Sequence, residues 1–180
     1  MSNVKPIEAL SEFLKAQGWE FLLVDDSSLR GTVGGEHGGW AWSAVCIDAC
    51  DILMFHANLP MRVPKNRRAA VAEFLSRANW GMIFGNFEMN WSDGQVVFRT
   101  SIPVASRPPS EDSLAHLVFA NCMMADCYLL GLAEVAFGRR PPKMAVAHIE
   151  AEPKKVRKPA QRKPKPLDVP RPQRFFLSDN

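Results

Sequence analysis

Four cysteines, four histidines and two close carboxylates are the side chains here whose types and spacing could carry chemistry. Cys46 and Cys50 stand in a C-x3-C spacing, and Cys122 and Cys127 in a C-x4-C spacing. Neither completes a common zinc pattern, and their flanks read as strand and helix rather than ligand-bearing loops. They read as small buried hydrophobes or free thiols, a usage that fits a reducing cytoplasm. The run Gly34-Gly35-Glu36-His37-Gly38-Gly39 invites comparison with phosphate-cradling loops, which present backbone amides to an anion. Such loops lead from a strand into a helix, with a correctly spaced Lys or third Gly. Here the alternating run Trp40–Ile47 follows, so the glycines are expected to form a hairpin loop, with His37 exposed on it. Asp48 and Asp51 lack the further oxygens and the glycine of a calcium loop and read as turn carboxylates. His56 shares a strand face with Ile52 and Met54 and reads as a structural, half-buried histidine. No Ser or Cys has a base at a recognisable spacing. The expectation is a protein without catalytic residues, metal or cofactor.

The elements are clearer than the chemistry. Residues 5–17 predict a first helix, with Ile7, Leu10, Phe13 and Leu14 at helical spacing and Gly18 as its stop. Strands are expected at Trp19–Val24, Leu29–Val33, Trp40–Ile47 and Ile52–Ala57. A second helix is expected at 66–79, with Val71, Phe74, Leu75 and Ala78 facing the core and a Glu73–Arg77 surface pair. Arg67 and Arg68 sit at its start, where the helix dipole disfavours cations. Residues 84–103 predict a hairpin around Asp93-Gly94. A two-residue loop would set Glu88 opposite Arg99 and line up Phe87, Met89 and Trp91 on the apolar side; a four-residue loop would slip the register by two and keep the faces. From Ser110, a good N-cap, a long helix is expected to about Phe137. One of its stripes holds Leu114, Leu117, Val118, Asn121, Ala125, Tyr128, Leu129, Leu132 and Val135. A second holds Phe119, Cys122, Met123, Cys127, Leu130 and Phe137. One sheet covers one stripe, so the other is expected to meet a second protomer, which makes the protein a dimer. The fold class is α+β: an antiparallel sheet of about five strands against an N-terminal, a middle and a long C-terminal helix.

Charge divides the chain. Residues 1–138 carry 10 Lys+Arg against 15 Asp+Glu, and residues 139–180 carry 12 against 4, so a net −5 body bears a net +8 tail. The expected domains are accordingly 1–138, folded, and 139–180, a basic Pro-rich disordered tail. No run of 18 apolar residues suggests a membrane span, and the N-terminus lacks an apolar signal core.

The strings Phe55…Leu59-Pro60, Val63-Pro64, Glu73–Asn79, Gly85-Asn86-Phe87-Glu88, Asp93-Gly94…Phe98-Arg99-Thr100 and Val135–Gly138 occur in that order. Over about residues 5–138 the chain resembles the YbjN-like family of bacterial proteins. The resemblance implies a fold like that of type III secretion chaperones, which work as dimers on extended segments of partners. It also implies a role in sensory-transduction regulation, and it brings no catalytic residue to any position.

The functional expectation is a non-enzymatic, cytoplasmic, dimeric adaptor or chaperone-like regulator. Phe119, Met123, Cys127 and Leu130 on the long helix, and Phe175 and Phe176 in the tail, are its candidate protein-binding residues. The alternative is a nucleic-acid-associated regulator binding through Lys154, Lys155, Arg157, Lys158, Arg162, Lys163 and Lys165. A third possibility is that the tail is itself a ligand, for its own body or for another protein.

Overall fold

The computed structural model describes residues 5–105 and 108–151. Its sheet has six antiparallel strands rather than about five, in the order β1-β2-β3-β4-β6-β5. In the chain these are β1 (Phe21–Asp25), β2 (Ser28–Gly34), β3 (Gly39–Ile47), β4 (Ile52–Arg62), β5 (Asn86–Met89) and β6 (Gln95–Pro103). Alternation explains the two faces. Leu29, Trp40, Trp42, Ala44, Leu53, Phe55, Ala57, Phe87, Val96 and Phe98 are buried beneath the helices. The opposite face carries one continuous cross-strand row: Leu22, Arg30, Ser43, His56, Arg99, Asn86.

The 84–103 hairpin forms with the longer loop. Phe87 pairs with Phe98 and Glu88 with Val97, so Glu88 is not directly opposite Arg99. The two still meet diagonally, at 2.8 Å between Arg99 Nη2 and Glu88 Oε1. The physical reason lies in the loop. Asn90 accepts the Gly94 N–H at 2.8 Å, Asp93 Oδ1 accepts the Gln95 N–H at 2.9 Å, and Gly94 takes φ +76°, a left-handed conformation that glycine adopts freely. Trp91 therefore leaves the apolar face and is exposed in the turn.

The helical layer comprises α1 (Pro6–Ala16), α2 (Arg68–Asn79), a rod of α3 (Glu111–Ala115) and α4 (Asn121–Ala136) joined by a π-helical segment at His116–Ala120, and α5 (Pro142–Ala151). α1 and α2 bury the apolar stripes expected of them. The π-helical segment has a local cause in the sheet. Thr100 Oγ1 donates to the Leu117 carbonyl at 2.7 Å, and the fully buried Asn121 Nδ2 donates to the carbonyls of Phe55 and Phe98, each at 3.0 Å. The rod is thus bonded to β4 and β6 as well as packed on them.

The two arginines at the start of α2 serve other elements. Arg67 Nε and Nη2 donate to the Val135 carbonyl at the end of α4, at 3.2 and 2.8 Å. Arg68 Nη1 donates to the Trp91 carbonyl at 2.6 Å, in the β5–β6 turn. Each cation meets a carbonyl elsewhere, which offsets the unfavourable end of its own helix.

The folded part continues past residue 138, where the sequence placed the boundary. α5 buries Ala145 and Val146, packs Ile149 at Gly131 of α4, and accepts a hydrogen bond from Tyr128 Oη on Glu150 Oε1 at 3.2 Å. The short Met144–Ile149 island is enough because Gly131 lets a helix approach closely. The rod over Glu111–Ala136 is long and apolar enough to cross a membrane by length and composition. Half of its most apolar window is buried inside this fold.

Candidate protein-binding edge

The two edges of the sheet are built differently. At one edge, β5 is four residues long, and the side chain of Asn79 stands where a seventh strand would: Oδ1 accepts the Phe87 N–H at 2.8 Å and Nδ2 donates to the Phe87 carbonyl at 3.0 Å. A side-chain amide thereby imitates the backbone of a neighbouring strand and closes the edge. At the other edge, β1 pairs only with β2 among the described residues. Three of its apolar residues are exposed, Leu22 by 74%, Leu23 by 65% and Val24 by 46%, while Phe21 at its start is half-buried against the core. The cause is position, since among the described residues this strand has a neighbour on one side alone. A short, unpaired, apolar edge offers backbone N–H and C=O groups to an incoming strand.

Carboxylates frame this edge. Glu20 precedes β1; Asp25 ends it and Asp26 follows, all three exposed. The Asp25 carboxyl is held below its usual range, chiefly by the Ser27 N–H, which donates to Oδ1 at 2.9 Å, and then by the Ser27 and Ser28 hydroxyls. Asp26 lies 3.8 Å from Lys5 Nζ in a solvated pair. The Cys46 N–H donates to the Ser27 carbonyl at 2.8 Å, which brings the β3–β4 turn, with Asp48 and Asp51, to the same end of the sheet. Burial, followed by the charge of Asp48, pushes the Cys46 thiol up.

The residues singled out on the long helix are dispersed in environment. Phe119 is half-buried, its ring 5.8 Å from Phe13 and 6.5 Å from Trp19. Met123 and Cys127 are half-buried, and Leu130 is 53% exposed. Phe175, Phe176, Lys154, Lys155, Arg157, Lys158, Arg162, Lys163 and Lys165 lie outside the described residues.

The glycine-rich loop is a hairpin loop, as its alternating flanks indicate, yet it does hold an anion, and the anion is the protein's own. The backbone N–H groups of Glu36 and His37 donate to the two oxygens of Asp126, both at 3.0 Å, and His37 Nδ1 lies 3.4 Å from Oδ2. A Cβ on Gly35 would collide with that carboxylate. His37 therefore has a carboxylate partner that its sequence neighbours do not reveal. Among the described residues no three His, Cys, Asp or Glu side chains gather as a metal site. Burial pushes the Cys122 thiol up, away from a nucleophilic thiolate, and His56 is held down at about 4, chiefly by burial. A shallow groove of about 400 Å³ between α2 and α5 is lined by Arg77, Trp80, Lys143, Val146 and Glu150.

A family model described as "Putative bacterial sensory transduction regulator" matches residues 6–128. The chain belongs to the YbjN family. Among solved structures, the fold is similar to that of YbjN from E. coli, described as "a putative transcription regulator", with a TM-score of 0.53 and 16% identity over 75% of this chain and 95% of that one. Two further similarities are weaker. The ExsC–ExsE complex gives 0.45 at 12% identity over 68% and 89% of the two chains. The HopA1–SchA chaperone–effector complex gives 0.39 at 19% identity over 73% and 90%. A comparison with curated protein sequences gives no match. The YbjN match ends at Tyr128, so α5 and the segment beyond it lie outside the matched residues.

Proposed function

We propose that this YbjN-family chain is a non-enzymatic adaptor that binds an extended segment of a partner protein along β1. The observation that carries the reading is the contrast between the two sheet edges: Asn79 closes one, while the other presents Leu22, Leu23 and Val24 to solvent. Strand addition supplies backbone hydrogen bonds for affinity, and alternate side chains of the added strand contact the apolar residues for specificity. The carboxylates of Glu20, Asp25 and Asp26 favour a segment carrying Lys or Arg. The family description, of a putative bacterial sensory transduction regulator, supports a regulatory setting, and a cytoplasmic location is part of the same proposal. The half-exposed strip of Met123, Cys127 and Leu130 supports a second contact, with another copy of the chain, which would make the adaptor a dimer.

The experiment is affinity capture from native extract with the full chain and with a Leu22→Asp/Leu23→Asp variant, nuclease present throughout. Partners recovered by the parent and lost by a variant with unchanged circular dichroism would support the edge. Equal recovery by both would remove β1 from the reading. Light scattering on the full chain and a Leu130→Glu variant tests the dimer, which is expected to dissociate in the variant.

A further inference from the structure

We infer that the strand that occupies β1 in the absence of a partner is this chain's own segment around Gln173–Ser178, docked from the same molecule. The inference rests on the reading of β1 as the binding edge and adds how that edge is regulated: the tail competes with the partner.

Three observations converge on this occupant. The first is charge. β1 is framed by Glu20, Asp25 and Asp26, with Asp48 and Asp51 on the neighbouring turn. Nine Lys and Arg fall between residues 154 and 174, ending with Arg171 and Arg174 directly before Phe175-Phe176-Leu177. The combination of cations followed by apolar residues is the complement of an apolar strand flanked by carboxylates.

The second is what the same charges do to the competing occupant, a second β1. Two copies paired antiparallel about Leu23, the register of greatest overlap, would set Glu20 of each opposite Asp26 of the other. Like charges directly opposite are destabilising. The edge is thus framed against its own copy and toward a basic strand.

The third is the pattern of prolines. Proline cannot donate to a strand ladder. Pro153, Pro159, Pro164, Pro166, Pro170 and Pro172 interrupt the segment repeatedly, and the longest stretch free of proline within it begins at Gln173. That stretch is long enough to pair with all five residues of β1. The roughly 20 residues between Ala151 and Gln173 span up to about 70 Å when extended. A domain of this size is about 40 Å across, so the leash reaches any edge of its own body. Such tethering supplies an effective concentration of order millimolar, which makes even a weak strand pairing well populated.

The test uses the full chain. Hydrogen exchange is followed at the β1 amides in the parent and in a Phe175→Asp/Phe176→Asp variant, at about 50 mM and 500 mM NaCl. The parent is expected to exchange roughly ten-fold more slowly than the variant at Leu22–Val24 in low salt, with the difference shrinking in high salt as the charges are screened. Equal exchange in parent and variant at both salt concentrations overturns the inference. A photoreactive benzoylphenylalanine at position 22 then identifies the occupant, in a mixture of isotopically light and heavy chains. Cross-links to residues 173–178 within one chain support the proposal. Cross-links between light and heavy chains, or to β1 of a second copy, overturn it. These readouts need no partner, so they can fail while the capture experiment succeeds, and the reverse. If both hold, the Phe175→Asp/Phe176→Asp variant captures more partner than the parent.

Discussion

Arg67, at the N-terminus of α2, caps the C-terminus of α4 by donating from Nε and Nη2 to the carbonyl of Val135. The contact spans 68 residues of sequence. It ties the middle helix to the long one where each would otherwise end in solvent, and the guanidinium also packs over Gly138, 3.6 Å from where a Cβ would stand. Arg67→Ala is expected to destabilise the protein by about 1.5–3 kcal/mol, the range for a hydrogen bond with a charged donor. Arg67→Lys should recover only part of this, because an ammonium cannot reproduce the two-nitrogen fork. Urea unfolding of the three proteins checks the order.

Asp126 anchors the β2–β3 loop to α4 through the amides of Glu36 and His37. Removing the carboxylate leaves two N–H groups without their acceptor. Asp126→Ala is expected to cost about 1–3 kcal/mol, with faster hydrogen exchange confined to residues 35–38. Gly35→Ala should produce the same local loosening by steric means, since its new methyl group would occupy the carboxylate's place. If Gly35→Ala leaves exchange in the loop unchanged, the carboxylate is not held where the structure sets it.

What the sequence disclosed, and what it did not, follows the range of each interaction. The core stripe of α2, the hairpin around Gly94 and the ends of α1 are written in neighbours a few residues apart, and they form as expected. The hairpin register depends on competition between two loops, and the side chains of Asn90 and Asp93 decided it. The Asp126–His37 pair and the Arg67 cap join residues too distant for any spacing rule. Trp19–Val24 showed that a strand would form, but an apolar run looks the same in the middle of a sheet and at its edge. A signal for the edge was present in Glu20, Asp25 and Asp26, whose charges flank the run too closely for a buried strand. Asn79, which closes the opposite edge, gave no local sign at all, since it also ends a helix.

Gly131 decides whether α5 belongs to the folded body. A Cβ at this position would press on Ile149, whose side chain is flexible enough to yield to a methyl group. Gly131→Ala is therefore expected to be tolerated, while Gly131→Leu should push α5 off α4 and α2. The Tyr128–Glu150 hydrogen bond would be lost with it. Limited proteolysis should then cut between residues 139 and 151 in the leucine variant alone, with the sheet intact by circular dichroism. Equal protection in both variants would mean that α5 holds its place without the contact at Gly131.

His56 makes stability depend on pH. It lies in the centre of the face opposite the helices, between Ser43 on β3 and Arg99 on β6. Burial is the main reason its pKa falls from 6.5 to about 4; the Arg99 charge lowers it further and the Glu88 carboxylate opposes both. The folded state therefore keeps the ring neutral in a range where the unfolded chain takes up a proton. A depressed folded pKa gives stability that is complete above pH 6.5 and is lost as pH falls toward 4. Between pH 7 and 5 the shift corresponds to roughly 2 kcal/mol. His56→Gln removes the titrating ring at similar size. Its stability at pH 7 can move in either direction with the packing, but its fall between pH 7 and 5 should be smaller than the parent's by about that amount. Parallel curves for the two proteins would show that His56 is not held neutral by burial and that the carboxylates account for the whole pH dependence.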